Sequence, residues 1–197
     1  MKNGKGDSSF SRIVSTINLR DLVNSLKDMP KEIKAAADSL KFNSMYLTMI
    51  GVRGKFNHGI HWMYLPEKEI LPNRISFPSH MSLANAPEGM SSILAETTFD
   101  PNAPKEKPEN VSEKVIDNLH SNGILNRKDV AMSKTISIKY AYPIYDLDYL
   151  KNSKAIYDYI DGLGNLHLLG RFGEFKYYNV DKCIRRAMDL SETIKNI

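Results

Sequence analysis

The pattern of apolar and polar positions divides the first part of the chain into short strands and amphipathic helices. Residues 11–17 form a β-branched run, which predicts a short buried strand. Apolar side chains at i, i+3, i+4 and i+7 predict a helix over residues 19–26. Pro30 suits the first position of a second helix, whose apolar face extends to Leu40. Two helices therefore separate the first strand from the rest of the chain.

Four predicted strands then follow one another without an intervening helix. The first of them is apolar on both faces, which is typical of a central strand. Short connections between such strands favour an antiparallel meander, in which each strand pairs with the next. The four strands are residues 44–52, 60–65, 73–77 and 91–99.

The remaining third of the chain alternates between helices and strands after a proline-rich surface connection over residues 100–110. The fold class is therefore predicted to be α+β, with an antiparallel sheet and helices packed on it. The first strand and the last strand, turn and helix do not fit that sheet, because each looks like a fragment of a parallel α/β unit. The predicted elements are a helix over 111–119, a strand over 135–142 stopped by Pro143, a helix over 147–160, a strand over 165–169 and a helix over 184–194.

Composition excludes several classes of function. A chain of 197 residues that is 42% hydrophobic can bury one sizeable core, and a net charge of +4 without a basic run is a weak sign of nucleic-acid binding. A single cysteine, Cys183, excludes an internal disulfide, and the five histidines lack metal-ligand spacing, so no metal is expected. No apolar run approaches the roughly 18 residues of a membrane helix. The N-terminus lacks the apolar core of a signal peptide, so we expect a cytoplasmic protein.

The stretch GRFGEFKYYNVD, residues 170–181, carries the strongest candidate chemistry. Its end opens a helix, and the N–H groups at a helix N-terminus favour an anion. An arginine beside them could clamp a phosphate with two hydrogen bonds. A glycine turn followed by an ordinary helix cap would give the same pattern, so both interpretations stay open. The residues of this candidate anion site are Gly170, Arg171, Gly173, Asn179, Val180 and Asp181.

Aromatic side chains and a second arginine form two further candidate groups. Tyrosines that face a cleft can stack on a flat or sugar-like ligand, although a half-buried sheet also uses such residues. Arg74 follows Pro72 on an otherwise apolar strand and needs an anionic partner, which is either a ligand or a structural salt bridge. No Ser/His/Asp order, P-loop or GxGxxG is present, so no catalytic residue is assigned. The aromatic candidates are Trp62, Tyr64, Tyr142, Tyr145, Tyr177 and Tyr178.

Several stretches together resemble one family. GRFGEFKYYNVDKCIRRA resembles the motif that closes the FAD-binding domain of flavin-dependent amine oxidase-type proteins, among them UDP-galactopyranose mutase and protoporphyrinogen oxidase-like proteins. SRIVSTINLRDLV is similar to the strand that returns to that domain. LPNRISFPSHMSLANAPEGMSSILAE is similar to the substrate-domain strands, with Arg74 at the arginine position, and YAYPIYD to a tyrosine-proline segment. Together these stretches span nearly the whole chain in the family's order.

The resemblance implies roles for individual residues. The arginine of the GR pair lies near the flavin or the substrate phosphates in that family, and this role falls on Arg171. The helix N–H groups that face the isoalloxazine ring would belong to Asn179, Val180 and Asp181. Val180 replaces the family's usual methionine, which matters little if the backbone N–H makes the contact. The resemblance also implies that Tyr177 or Tyr178 approaches the substrate.

One departure from the family pattern shapes the expected function. The GxGxxG unit that grips the FAD pyrophosphate is missing from this sequence, so the FAD site is expected to be only partly present. Residues 1–29 and 164–197 would belong to the FAD-binding domain, and residues 30–163 to the substrate-binding domain.

We therefore expect the C-terminal portion of an FAD-dependent oxidoreductase or mutase that is inactive alone and is completed by an N-terminal FAD-binding half. Its substrate would be a nucleotide sugar or a related polar molecule of cell-envelope polysaccharide synthesis. No nucleic acid or membrane span is expected. The alternative is a non-catalytic partner or binding subunit without its own dinucleotide-binding unit.

Overall fold

A computed structural model describes residues 2–3, 6–103 and 106–195 of the chain. The chain divides into two compact units. The first unit contains residues 1–41 and 142–197, and the second contains residues 42–141. The segments 30–41 and 142–163 thus group with the two ends of the chain rather than with the middle. The assignment of three segments to a flavin domain and a substrate domain stays a prediction.

The main helices and strands follow one another in the order that the hydrophobic pattern predicts. Two short helices were not predicted: Gly170–Gly173, and Pro78–Met81, which interrupts the four strands expected to follow one another without a helix. Two short strands, Lys2–Asn3 and Gly6–Asp7, pair at the N-terminus, and single 3₁₀ turns cover Leu83–Asn85 and Arg127–Asp129. The remaining elements are β1 (Ile13–Ser15), α1 (Leu19–Ser25), α2 (Lys31–Ser39), β2 (Lys41–Arg53), β3 (Trp62–Tyr64), β4 (Arg74–Ser76), α3 (Pro78–Met81), β5 (Met90–Phe99), α4 (Pro108–Ser121), β6 (Val130–Ile144), α5 (Tyr149–Gly162), β7 (Leu166–Leu168), α6 (Gly170–Gly173) and α7 (Val180–Lys195).

A five-stranded antiparallel sheet dominates the second unit, but it is not the predicted meander. Its strand order is β3-β4-β5-β2-β6, so β2 pairs with β5 and β6 rather than with β3. Strand length explains the difference. β2 has 13 residues whose backbone groups need partners, and β3 and β4 have only three residues each. β5 offers ten residues, and its pairing with β2 runs from Ser44 opposite Phe99 to Arg53 opposite Met90.

Helix α4 covers one face of this sheet and closes the core. Its apolar stripe, Val111, Val115, Ile116 and Leu119, is buried in one cluster with side chains of the sheet. Alternate residues of a strand point to the same face, which is why Tyr46, Ile50 and Val52 of β2 all join that cluster. The sheet residues in the core are Tyr46, Ile50, Val52, Ile75, Ile93 and Ala95.

The first unit contains a separate parallel pair of strands. β1 and β7 pair in parallel, from Ile13 opposite Leu166 to Ser15 opposite Leu168. The expected parallel fragment at the two chain ends is therefore present. The prediction of a buried strand over residues 11–17 was wrong in its length and burial, because β1 has three residues and the Val14 and Ile17 side chains are exposed. Helices α1, α2 and α5 supply this unit's fully buried side chains Leu19, Val23, Ala37, Ile156 and Ile160.

Two smaller predictions also need correction. β6 does not stop at Pro143 but continues to Ile144. Proline lacks an N–H donor and is tolerated on an edge strand, and β6 is an edge of its sheet. The glycines after β7 do not form a simple turn but the single helical turn α6. In the described ranges, no helix combines the length and the apolar character that crossing a bilayer requires.

Candidate functional site

Two glycines in the turn between β7 and α7 meet a conformational or a packing requirement that other residues would not meet. Gly170 has a φ of +79°, in the left-handed region that favours glycine. A Cβ at Gly173 would lie 2.5 Å from the carbonyl oxygen of Ser15, so only glycine lets α6 approach β1 this closely. A Cβ at Gly170 would meet nothing within 4 Å. The backbone of Gly170 is therefore open to an approaching group, whereas Gly173 serves packing.

Arg171 lies in an aromatic stack that joins three of the predicted site residues. Its guanidinium carbon is 4.5 Å from the ring centroid of Tyr177 and 5.0 Å from that of Tyr142. The two rings stack on each other, with centroids 5.7 Å apart and planes at 27°. Nη1 of Arg171 also donates to the carbonyl oxygen of Tyr178 at 3.3 Å. Cation–π contacts and this hydrogen bond together fix the direction of the guanidinium.

A surface groove connects Arg171 with the start of α7. Cys183 N–H donates to the carbonyl oxygen of Asn179 at 3.1 Å, which is the first bond of the helix. The N–H groups of the first turn point away from the helix body and have no partner within it. They and the guanidinium make this end of the groove electropositive, and the Asp181 carboxylate in the same turn offsets part of that charge. The groove is lined by Arg171, Tyr178, Asn179, Val180, Cys183, Ile184 and Ala187.

Three tyrosine hydroxyls hold the segment between α6 and α7. Tyr149 donates to the carbonyl oxygen of Phe175 at 2.9 Å, and Tyr157 donates to that of Glu174 at 2.5 Å. The hydroxyl of Tyr145 accepts from the N–H of Tyr177 at 2.6 Å. Phe175 has a φ of +46°, which is strained for a bulky residue and needs such support. Tyr145, predicted to contact substrate, thus uses its hydroxyl to position Tyr177.

A buried ion pair that the sequence reasoning missed ties the turn to α7. The side chain of Glu174 is only 6% exposed, and its Oε1 lies 3.0 Å from Nε and 2.9 Å from Nη2 of Arg186. Its Oε2 accepts from the N–H of Gly170 at 3.1 Å. Hydrogen bonding to Glu174 raises the pKa of Arg186. One carboxylate therefore connects α6 and the middle of α7.

The sequence held a signal for this pair. Arg186 lies three residues after Cys183 and four before Leu190, so it shares the helix face of these two apolar residues. A charged residue at such a position needs a partner, and Glu174 is the acidic residue of the preceding aromatic turn.

Burial also changes the ionisation of the tyrosines. Burial raises the pKa of Tyr149 to about 12 and raises that of Tyr157 further. Burial, together with the nearby charge of Glu174, raises the pKa of Tyr178. All three tyrosines therefore keep their protons at neutral pH, and Tyr149 and Tyr157 can act as hydrogen-bond donors to the turn.

The raised pKa of Tyr149 predicts a loss of stability in alkali. The phenol titrates near 10 in an unfolded chain and at about 12 in the folded protein, so above pH 10 the unfolded state binds fewer protons than the folded state. The free energy of unfolding should fall as the pH rises from 10 to 12. Urea unfolding at several pH values measures this slope. Tyr149→Phe should have a shallower slope, and an unchanged slope would contradict the assignment.

The remaining predicted site residues, Trp62, Tyr64 and Arg74, belong to the second unit. Nε of Arg74 donates to Oε1 of Glu96 at 3.0 Å, and these residues lie opposite each other on β4 and β5. Glu96 is buried, and the ring of Tyr64 lies 5.9 Å from the guanidinium. Of the two alternatives for Arg74, the structure shows the salt bridge. Trp62 and Tyr64 on edge strand β3 are more than half exposed, and their contact with a ligand stays a prediction.

No family profile and no curated protein matches the sequence. Solved structures do match. A reduced UDP-galactopyranose mutase superposes on 88% of the chain with a TM-score of 0.77 and 22% identity. A protoporphyrinogen oxidase from Exiguobacterium covers 93% at a TM-score of 0.65 and 12% identity. A CLA-producing fatty acid isomerase from P. acnes covers 92% at a TM-score of 0.58 and 16% identity.

This chain has the fold of the corresponding parts of these solved mutase, oxidase and isomerase structures. The resemblance that the closing motif indicated is therefore confirmed at the level of the fold. The chain spans 38%, 40% and 41% of the lengths of the three matched proteins. Its five-stranded antiparallel sheet and its small parallel sheet together belong to that shared architecture.

Proposed function

We propose that this chain is the substrate-binding and flavin-facing part of an FAD-dependent oxidoreductase or mutase. The observation that carries the proposal is the Arg171 stack beside the start of α7. It combines a fixed guanidinium with the N–H groups of a helix N-terminus in one groove. A cytoplasmic location and completion by an FAD-binding half belong to the same proposal.

The donors at this groove suit a flavin nucleotide. Flavin rings accept hydrogen bonds, phosphates attract cations, and both kinds of donor are present at Arg171 and the first turn of α7. The open space above the Gly170 backbone admits a flat ring close to the chain. When bound, FAD would supply the redox or nucleophilic chemistry. The residues of this chain would bind and orient it, through Gly170, Arg171, Asn179, Val180 and Asp181, with Gly173 holding the turn against β1.

If the complete protein is a mutase, its proposed substrate is a nucleotide sugar. The reaction would then belong to cell-envelope polysaccharide synthesis. The similarity to a UDP-galactopyranose mutase supports this choice. Each of the two predicted arginines is a candidate to hold the diphosphate, but Arg74 is already paired with buried Glu96. A diphosphate at Arg74 would have to compete with that carboxylate. Arg171 is the preferred candidate because it lines the groove at the start of α7. Tyr142, Tyr177 and Tyr178, which belong to the same unit as Arg171, would contact the remaining parts of the substrate.

A titration with two flavins tests the flavin site. FAD carries phosphates and riboflavin carries none, so a site built on Arg171 should bind FAD about fivefold more tightly, which is about 1 kcal/mol. Arg171→Met should remove most of that difference. Arg185→Met, which removes an exposed arginine of α7, should preserve it. Flavin fluorescence quenching measures both affinities.

The same titration separates the two classes of function. Equal affinities of the unaltered chain for FAD and riboflavin would contradict the role of Arg171. A chain that binds neither flavin would favour the alternative function, a non-catalytic partner or binding subunit.

A further inference from the structure

The C-terminal helix of the first unit leaves its apolar side uncovered. Among the described side chains of α7, residues 180–194, none is buried. A surface helix of a globular protein normally buries a stripe of apolar side chains, and an isolated helix of 16 residues is only marginally stable in water. The α7 stripe consists of Val180, Cys183, Ile184, Ala187 and Met188, of which Val180, Ile184 and Met188 are 75%, 57% and 52% exposed.

The parallel pair of strands in the same unit is also incomplete. Each strand has three residues, and parallel sheets are almost always larger and covered by helices on both faces. Ile13 donates to Asn165, and Leu169 donates to Ser15, so these residues face the partner strand. Alternate residues of a parallel strand use opposite edges, and Val14 therefore points its N–H and C=O to the outer edge of β1. Its side chain is 44% exposed.

We propose that the outer edge of β1 and the α7 stripe form a docking surface for a further parallel strand-and-helix polypeptide. The strand would extend the β1–β7 pair, and apolar side chains of the added segment would cover the α7 stripe. Two observations point to this occupant: β1 and β7 pair in parallel, and this chain spans only about two fifths of the lengths of the matched structures. The inference rests on the proposed function in one respect, because the added polypeptide would also complete the flavin site.

A second copy of this chain is a poorer occupant. Most homodimers are related by a twofold axis, and such an axis pairs an edge strand with itself in the antiparallel direction. The existing pair is parallel. An added strand that continues the parallel arrangement therefore has to come from a different segment of polypeptide.

The unaltered chain gives the first test. Without its cover, α7 should open easily, and its amides should exchange with solvent about 100-fold faster than those of buried α4. Cys183 is the sole cysteine, is partly exposed and lies in the stripe, so a thiol reagent should react with it in the folded chain without global unfolding. Amides in α7 as protected as those of α4 would overturn the proposal. So would a closed dimer in which Cys183 is protected.

A chimera gives the second test. In it, this chain replaces the segment of the UDP-galactopyranose mutase that it matches. Cys183 should then react at least about tenfold more slowly than in the isolated chain. Ile184→Asp should lower the melting temperature of the chimera by about 4 °C or more and leave that of the isolated chain nearly unchanged. Leu150→Asp, at a residue of α5 that is 76% exposed, should change the melting temperatures of the chimera and of the isolated chain by the same amount.

Unchanged reactivity of Cys183 in a folded chimera would overturn the docking surface. If the chimera does not fold, the exchange measurement on the isolated chain still decides. The proposed function fails separately. Protection of Cys183 in the chimera, together with equal FAD and riboflavin affinities of the chain, would support docking and contradict the flavin site.

Discussion

Replacing Glu174 by alanine is expected to lower the free energy of unfolding by about 3 kcal/mol. Removing one partner of a buried ion pair leaves the other charge uncompensated, which typically costs about 3–5 kcal/mol. The lower end applies because the Arg186 side chain is 35% exposed and can recover some water. The change also removes the acceptor of the Gly170 N–H. Urea unfolding followed by circular dichroism measures the effect.

A double-mutant cycle assigns this effect to the pair. Arg186→Met should cost at least as much as Glu174→Ala, because it leaves the buried Glu174 carboxylate without its cation. The double variant should be more stable than the sum of the two losses implies. Asp158→Ala, which breaks an exposed pair with Lys154 on α5, should change stability by about 0.5 kcal/mol or less. Additive losses at Glu174 and Arg186, or a loss as small as that of Asp158→Ala, would contradict the role of the pair.

Gly173→Ala is expected to cost about 2 kcal/mol. Its Cβ would lie 2.5 Å from the carbonyl oxygen of Ser15, and backbone cannot move aside as a flexible side chain can. Overpacking of this kind typically costs about 1–3 kcal/mol. Thermal and urea unfolding would both report the loss, since α6 would have to move away from β1.

A matched glycine serves as the control for that variant. Gly162 ends α5, and a Cβ there would meet nothing within 4 Å. Gly162→Ala should leave stability unchanged or raise it by up to about 1 kcal/mol, because alanine restricts the unfolded chain. Equal effects at the two glycines would show that α6 does not pack on β1 as described.

Local patterns predicted the elements well but not their pairing. The periodicity of apolar side chains depends on neighbouring residues, so helices such as α4 and α5 could be placed from the sequence. The pairing of β2 with β5 depends on strands 37 residues apart, from Arg53 to Met90, and on which strands are long enough to satisfy each other. The meander prediction failed there because it used proximity along the chain alone.

The candidate site also has features that the local sequence predicts and features that only the tertiary structure reveals. Arg171 was predicted in one candidate group and Tyr142 and Tyr177 in another, and the structure brings all three into one stack. Arg74 was predicted to need an anion, but only the register of β4 and β5 reveals that Glu96 lies opposite. Glu174 and Arg186 were missed because their bond joins a turn to a helix face 12 residues further along the chain. Sequence reasoning thus found Arg171 and Arg74, whereas the tertiary structure was needed to identify Glu96 as a partner and to reveal the Glu174–Arg186 pair.

The most direct test of the account is the change in backbone amide resonances when FAD is added to the isotopically labelled chain. This measurement detects weak binding, as expected of a site that is only partly present. A flavin site at Arg171 predicts the largest shifts at Gly170 in α6 and at Val180 to Cys183 in the first turn of α7, and the loss of these shifts in Arg171→Met. Shifts confined to the sheet edge around Trp62, or none at the start of α7, would contradict it.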